Sequence, residues 1–180
     1  MNTTDKYCIT EKESVVVSFD CDYIKSCMFQ NNESIKEIRF LNPNTKISAN
    51  SFSNCKNLEF IALPADISKI EPYTFAFCQK LSSICIPENV NTIDCGVFVG
   101  CNNLRKVVVP KKIEKIGDNA FVSCDSLLLI EFNCKKGEEL IKFDGYEKWG
   151  LSESCKIKFQ DWETEKSIEE YLKKDLKQGE

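Results

Sequence analysis

The chain has 180 residues, of which 42% are hydrophobic and 29% are charged, so it is long and apolar enough to bury a core. Its formal net charge of −4 and isoelectric point near 5.1 give it no overall attraction for phosphate backbones, which argues against nucleic acid as a partner. No apolar run approaches the ~20 residues that cross a bilayer, so membrane insertion is not expected.

Residues 1–28 are predicted to form a degenerate first coil or cap. The segment lacks the basic region followed by an apolar stretch that is typical of a signal peptide. A cytoplasmic location is therefore expected by default, with the cell surface or secretion as the alternative. Three apolar residues of the segment precede apolar residues of the next unit by 23 positions. They are Val15 before Ile38, Val17 before Phe40, and Ile24 before Ile47.

Residues 29–133 contain five units of 23 residues. A phenylalanine recurs in each unit: Phe29, Phe52, Phe75, Phe98 and Phe121. Three residues later, four units have a cysteine: Cys55, Cys78, Cys101 and Cys124. A further apolar residue follows after three positions, and then comes a stretch with apolar residues two apart. Because three-residue spacing suits a 3₁₀ or helical turn and two-residue spacing suits a strand, each unit is predicted to hold one turn and one strand.

A unit of this kind cannot bury its apolar face alone. Stacked about 4.8 Å apart with parallel strands, such units form one continuous core. Pro64, Pro87 and Pro110 are predicted to follow the strands immediately, where the missing N–H ends the ladder. The sequence thus predicts a repeat solenoid with a parallel β-sheet on one face and short turns, 3₁₀ or helical segments on the other.

The register breaks after residue 133. Residues 134–162 are predicted to form an irregular terminal coil that ends in a late strand, Cys155–Phe159, after an insertion. Residues 163–180 are predicted to form a C-terminal helix or tail, because apolar residues recur at helical spacing and Ser167 and Glu170 are placed as a capping box. The helix is expected to cover the open end of the solenoid, with docking onto another protein as the alternative.

Two stretches carry a family resemblance. LSSICIPENVNTI at residues 81–93 and IGDNAFVSC at residues 116–124 resemble the BspA-like class of leucine-rich repeats, whose repeat reads roughly LxxIxIPxxVxxIGxxAFxxC. The first unit departs from this pattern, with Asn32 in place of the cysteine and Leu41 in place of the proline. Because BspA-like repeats often occur in proteins of bacterial and protist surfaces, the resemblance also implies an adhesion protein that contacts host or matrix proteins.

The sequence argues against catalysis and against a cofactor. It contains no histidine, the commonest general base and metal ligand. The phosphate-binding patterns G-x-x-x-x-G-K-[ST] and G-x-G-x-x-G are absent as well. The carboxylate pairs Glu138–Glu139 and Glu169–Glu170 are sequence neighbours that point apart, which indicates solvated surface. No enzymatic activity is therefore expected.

The eleven cysteines make the chain cysteine-rich, but no C-x-x-C pair occurs among them. Stacking would bring the repeat cysteines within about 5 Å of each other, which allows disulfides or soft-metal binding. Because each is flanked by inward-facing residues at −3 and +3, we expect small buried hydrophobes instead, with disulfides and metal as alternatives. Cys85, with Lys106 in the neighbouring repeat, is the one candidate for a reactive thiol.

The outward residues of the strands form the candidate protein-binding surface. An apolar strip with an aromatic side chain and two cations around it is predicted there: Phe60, Ala62, Cys85, Arg105, Lys106, Val108 and Leu129. Aromatic and arginine side chains around an apolar centre are typical of protein-binding hot spots. Strand propensity, or packing against the C-terminal tail, is the alternative. The predicted function is a non-enzymatic protein-binding or scaffold module, whose partner is another protein.

Overall fold

The structure, a computed structural model, describes residues 7–10, 15–135, 146–160 and 166–167. Within these ranges it contains fourteen β-strands and one 3₁₀ helix, Tyr146–Trp149. The strands in chain order are β1 (Tyr7–Thr10), β2 (Val15–Phe19), β3 (Tyr23–Ile24), β4 (Ile35–Phe40), β5 (Lys46–Ile47), β6 (Phe60–Ala62), β7 (Lys69–Ile70), β8 (Ser83–Cys85), β9 (Thr92–Ile93), β10 (Lys106–Pro110), β11 (Lys115–Ile116), β12 (Leu129–Asn133), β13 (Lys156–Phe159) and β14 (Lys166–Ser167).

Each repeat contributes a longer strand to one face and a two-residue strand on the return path. Val107 in β10 pairs with Ile84 of the coil before it and Ile130 of the coil after it, each one repeat away. On the return path Ile93 pairs with Ile70, and Ile116 pairs with Ile93, again in parallel. This register confirms the predicted parallel solenoid.

The three-residue spacing forms consecutive tight turns. The N–H of Cys78 donates to the carbonyl oxygen of Phe75 at 3.2 Å, and the N–H of Leu81 donates to that of Cys78 at 3.1 Å. Such bonds between residues three apart are those of a 3₁₀ helix. The repeat phenylalanines then lie above one another in the core, with ring centroids 5.4 to 6.0 Å apart from Phe29 to Phe121.

The inward and outward alternation within the strands also follows the sequence. In β12, Ile130 and Phe132 are buried, whereas Glu131 between them is half-buried on the outer side. One side of each strand therefore belongs to the continuous core and the other is presented to solvent. Pro110 differs from expectation: it is the last residue of β10 rather than the residue after it. A parallel ladder tolerates proline at a strand end, where the missing N–H breaks no central bond.

The N-terminal coil pairs differently from the sequence prediction. Ile24 lies opposite Ile47 as predicted, but Ile38 pairs with Val17 rather than with Val15. A bulge between Val15 and Val16 shifts the register of β2 against β4. In addition, β1 runs antiparallel to β2 and lies at that end of the sheet. The connection from Phe19 to Ile24 is two residues shorter than the connection from Phe40 to Ile47, so Val17 comes opposite Ile38. The bulge shifts the register of Val15 by one further residue, because a bulge adds one unpaired residue to a strand.

At the other end, β13 adds one more parallel strand after the insertion. Ile157 lies opposite Ile130, 27 residues earlier, so this coil is four residues longer than the others. The buried Trp149 is the last residue of the 3₁₀ helix, and its carbonyl oxygen accepts a hydrogen bond from the N–H of Phe121 at 2.8 Å. The two residues of β14 then run antiparallel to β13. The predicted C-terminal helix beyond Ser167 lies outside the described residues.

Candidate binding surface

All seven residues predicted for the binding surface lie on the outer side of the strand face. Phe60, Cys85 and Arg105 are exposed, with Phe60 at 46% of its full accessibility. The other four are half-buried: Ala62, Lys106, Val108 and Leu129. The structure therefore leaves these side chains available on the face where the alternation predicted them. The residues beyond Ser167, which were the alternative packing partner of these side chains, lie outside the described residues.

Strand register brings four of the seven into direct neighbourhood. Val108 lies opposite Cys85, and Lys106 lies opposite both Ser83 and Leu129. Phe60 and Ala62 belong to a different ladder, in which they pair with Glu37 and Arg39 of β4. The predicted strip thus consists of two parts that different strand pairings hold in place.

The β-ladder is interrupted between the two parts, although β6 and β8 remain neighbours. The strands of this face form one sheet that ends at β6 and a second that begins at β8, and no ladder joins β6 to β8 within residues 15–135. Uniform stacking predicted a continuous sheet at this point. A groove of about 590 Å³ lies here, with Phe60, Ala62 and Leu63 on one side and Cys85 and Pro87 on the other. The apolar strip is therefore concave rather than flat.

Arg39 holds the exposed ring of Phe60 at the edge of this groove. Its guanidinium carbon lies 5.4 Å from the centroid of the Phe60 ring, a cation–π distance. The same side chain forms an ion pair with Glu37 at 2.5 Å. Arg39 occupies an outward position in the strand alternation, but the spacing gives no reason to connect it with Phe60. One feature of the sequence could have indicated this contact. Arg39 lies one repeat before Ala62, which is the outward residue next to Phe60 in β6.

A shallow depression of about 580 Å³, lined by polar side chains, lies beside the groove. Three cations, two hydroxyls, an amide and one carboxylate line it: Lys80, Arg105, Lys106, Ser82, Ser83, Asn103 and Glu59. Ser83 lines both cavities, which makes them contiguous. Sequence reasoning missed Lys80 and Asn103, because both precede their strands and the outward alternation does not reach them.

The repeat cysteines belong to the core and not to the surface. Cys55, Cys78 and Cys101 are fully buried and Cys124 is 4% exposed, in agreement with the expected packing role. Burial raises the pKa of Cys55 to about 11 and that of Cys124 to about 12. Within the described ranges, the ten cysteines from Cys21 to Cys155 are all free thiols. No group of three potential metal ligands occurs within those same ranges.

Cys85 is the exposed thiol on the strand face, and its surroundings give little support to a reactive role. In the ladder its partner is Val108, whereas Lys106 is opposite Ser83. The ammonium of Lys106 forms an ion pair with Glu131. A nucleophilic cysteine needs its thiolate form, which a nearby cation stabilises. The charge of Lys106 is directed at the carboxylate of Glu131 instead of at the Cys85 thiol.

Solved structures with the same architecture come from several bacteria. A leucine rich cell surface protein from Faecalibacterium prausnitzii A2-165 superposes with a TM-score of 0.66 at 25% sequence identity, covering 71% of this chain and 34% of that protein. The pneumococcal vaccine antigen PcpA superposes with a TM-score of 0.69 at 22% identity, covering 88% and 38% of the two chains. A leucine rich repeat protein from T. pallidum gives 0.59 at 21%, with 71% and 68% covered.

The chain spans about a third of the length of the Faecalibacterium protein, 34%. That protein is described as a cell surface protein, so the expectation of a cytoplasmic location gains no support from it. Comparison with curated protein sequences gives no significant match. Among the described residues, no helix has the length and apolar character needed to span a bilayer.

The family described as BspA type leucine rich repeat region matches residues 5–128 in six copies. The sequence spacing predicted five regular units after a degenerate first coil, and the match begins inside that first segment. The family signature therefore extends over most of the chain and coincides with the parallel coils of the structure. This chain belongs to the BspA-type leucine-rich repeat family.

Proposed function

We propose that this protein is a non-enzymatic binding module that holds another protein against the outer side of its strand face. The observation that carries this proposal is the groove between β6 and β8, an apolar cavity on the exposed side of the sheet with the half-exposed Phe60 at its edge. A large aromatic side chain beside an apolar groove is typical of the anchors that interfaces bury. Solenoids of stacked repeats also generally use an extended face of this kind for contact.

The exposure of Phe60 is not explained by the fold itself. Repeat phenylalanines such as Phe52 and Phe75 are fully buried in the stack, where they stabilise the coils. Phe60 instead points outward and contacts the guanidinium of Arg39. Binding that covers this ring would remove apolar surface from water at roughly 25 cal/mol per Å². Burial of the Phe60 ring by a partner would therefore lower the free energy of association.

An adhesion protein that contacts host or matrix proteins is the second candidate. The neighbour described as a leucine rich cell surface protein, at 25% identity, favours it. Adhesion would use the same strand face and would require the chain to be accessible outside the cell. Labelling of intact cells with a membrane-impermeant reagent distinguishes the two: a labelled protein supports adhesion, and an unlabelled protein contradicts it.

The strand-face proposal is tested by affinity capture from a lysate of the protein's own organism. The baits are the wild type and the variant Phe60→Ala/Val108→Asp/Leu129→Asp, which removes the aromatic anchor and places charge on the apolar strip. The control is Lys46→Glu/Lys115→Glu, whose two exposed lysines lie on the short return strands. Circular dichroism and urea unfolding establish that each bait is folded.

We expect the wild type and the return-strand control to capture a common set of proteins that the strand-face variant loses. If the strand-face variant captures the same set, the proposed function is wrong. If the return-strand control alone loses the set, the binding face has been assigned to the wrong side of the solenoid.

A further inference from the structure

The parallel ladders of both faces stop at one junction between neighbouring coils. Within the described residues, β6 does not pair with β8 on the strand face, and β5 does not pair with β7 on the return path. Both interruptions separate residues 46–62 from residues 69–85, which are the same positions one repeat later. The solenoid therefore consists of two laddered stacks that meet at this junction, one ending at residue 62 and the other beginning at residue 69.

Backbone hydrogen bonds that recur at the neighbouring junctions are missing at this one. The N–H of Arg105 donates to the carbonyl oxygen of Ser82 at 2.8 Å, but in the described part of the chain the N–H of Ser82 makes no such bond to Glu59. On the return path the N–H of Glu71 likewise makes no bond to the carbonyl oxygen of Ile47, although the two following junctions have that bond. Because such bonds hold parallel strands together, this junction resists opening less than its neighbours do.

Two connections remain across the junction, at opposite corners of the coil. Along the turns, the N–H of Asn54 donates to the carbonyl oxygen of Ala76 at 2.7 Å, and the rings of Phe52 and Phe75 stack with centroids 5.9 Å apart. At the other corner the chain itself passes from β6 to β7 through residues 63–68. The strand face lies on one side of the line that joins these two corners, and the return path lies on the other side.

We propose that this junction is a hinge that sets the width of the groove beside Phe60. The two stacks rock about the line between the turns and residues 63–68, because the ladders that resist such a rotation elsewhere are interrupted on both sides of it. Narrowing of the groove on the strand face widens the gap between β5 and β7, and the reverse. A contact at the return strands thereby acts on the strand face. This motion needs no partner and goes beyond the proposed function.

The hinge is tested with pairs of cysteines placed across the junction and across an intact ladder. Ala62→Cys adds a thiol one repeat before the native Cys85, and both positions line the groove. The matched control is Val108→Cys, because Val108 lies opposite the same Cys85 in an intact ladder. Opposite residues of neighbouring strands are about 4.8 Å apart, which is within the reach of a disulfide.

A second pair reports on the return path. Lys46→Cys/Lys69→Cys places thiols one repeat apart on β5 and β7, and its control Lys69→Cys/Thr92→Cys places them on paired strands. Both variants lose the same ion pairs of Lys69.

Each full-length variant is equilibrated with a glutathione redox buffer, and peptide mass spectrometry identifies the disulfide. The exchange equilibrium gives the effective concentration of one thiol at the other. Circular dichroism and urea unfolding of the reduced forms establish that each variant is folded.

A hinge predicts a disulfide that forms across the junction but is disfavoured. We expect the pair with Ala62→Cys to have an effective concentration about tenfold or more below that of its control. In a chain that carries both pairs, the strand-face disulfide should lower the effective concentration of the return-path pair by about fivefold or more. The return-path disulfide should lower that of the strand-face pair by the same factor, since the coupling is reciprocal.

Three results overturn the inference. A strand-face pair that equals its control would show a closed and rigid junction. A strand-face pair that never forms in a folded variant would show a gap of fixed width. Two pairs that form independently, or that favour each other, would show that the stacks do not rock about this line. No partner enters these measurements, so each of these results leaves the proposed function to be decided by the capture experiment alone.

Discussion

The thiol of Cys101 donates a hydrogen bond to the carbonyl oxygen of Phe75, 26 residues earlier in the chain, with sulfur and oxygen 3.1 Å apart. The same contact recurs from Cys55, Cys78 and Cys124, each to the phenylalanine of the preceding coil, at 3.0 to 3.3 Å. Each sulfur therefore fills the turn and also provides a partner for a carbonyl group within the core. The recurrence of cysteine follows from this double role.

Replacing Cys101 by alanine should lower the free energy of unfolding by about 1–2 kcal/mol. The substitution removes a buried sulfur atom, leaves a small cavity, and withdraws a donor from the Phe75 carbonyl. Urea unfolding followed by circular dichroism measures the loss. Cys85→Ala is the matched control, because that thiol is exposed on the strand face and its removal should change stability by less than about 0.5 kcal/mol. Equal losses in the two variants would refute the packing role.

Stability should fall as the pH rises above about 9. Burial raises the pKa of Cys155 to about 12 and that of Cys124 to about 12, and it raises the pKa of Cys78 and Cys101 well above the ordinary value. A raised folded-state pKa means that the stability is fully present below the unfolded thiol pKa, near ~8.5, and is lost as the pH rises toward the folded value. Each thiol then removes up to about 1.4 kcal/mol per pH unit.

Urea unfolding at about pH 8 and about pH 10, with reductant present, measures this slope. The variant Cys78→Ala/Cys101→Ala removes two of the titrating thiols and should show a shallower decline than the wild type. Lysine and tyrosine titration is common to both proteins and cancels in the comparison. An identical slope would mean that the buried thiols do not control the alkaline loss of stability.

Phe98→Ala should destabilise the protein by about 3–5 kcal/mol. The ring is fully buried between those of Phe75 and Phe121, with centroids 6.0 and 5.7 Å away, so its removal opens a cavity in the middle of the stack. Phe60→Ala should change stability by less than about 1 kcal/mol, because that ring is outside the core. Thermal and urea unfolding of both variants test the contrast. A loss at Phe60 as large as that at Phe98 would undermine the reading of Phe60 as a binding residue.

Gly100→Ala should destabilise the protein by about 1–2 kcal/mol. Gly100 has a φ of +71°, in the left-handed region that L side chains rarely adopt, and an added Cβ would meet the ring of Phe77 in the preceding coil. The steric part should be relieved in the Phe77→Ala background, whereas the backbone strain should remain. A double-mutant cycle on urea unfolding separates the two contributions. Full additivity of the two substitutions would show that the ring contact carries no energy.

The sequence by itself determined the solenoid. Because every coil must place an apolar residue at the same inward positions, the phenylalanine, cysteine and leucine series could be assigned to turns and strands without a structure. The outward positions followed from the same alternation, which is how Phe60, Val108 and Leu129 could be predicted. That alternation also brought Arg39 to the surface, but nothing in the spacing connected it with the Phe60 ring.

Only the tertiary structure decided where this regular pattern is interrupted. The bulge at Val15 and Val16, the antiparallel β1 and β14, and the interrupted ladder between β6 and β8 depend on how particular coils pack on each other. A repeat period indicates which residues face inward, but it carries no information about which neighbouring strands complete their hydrogen-bonded ladder. The groove beside Phe60 lies where that ladder is interrupted, and for this reason the candidate binding residues could be located in the sequence but the groove beside them could not.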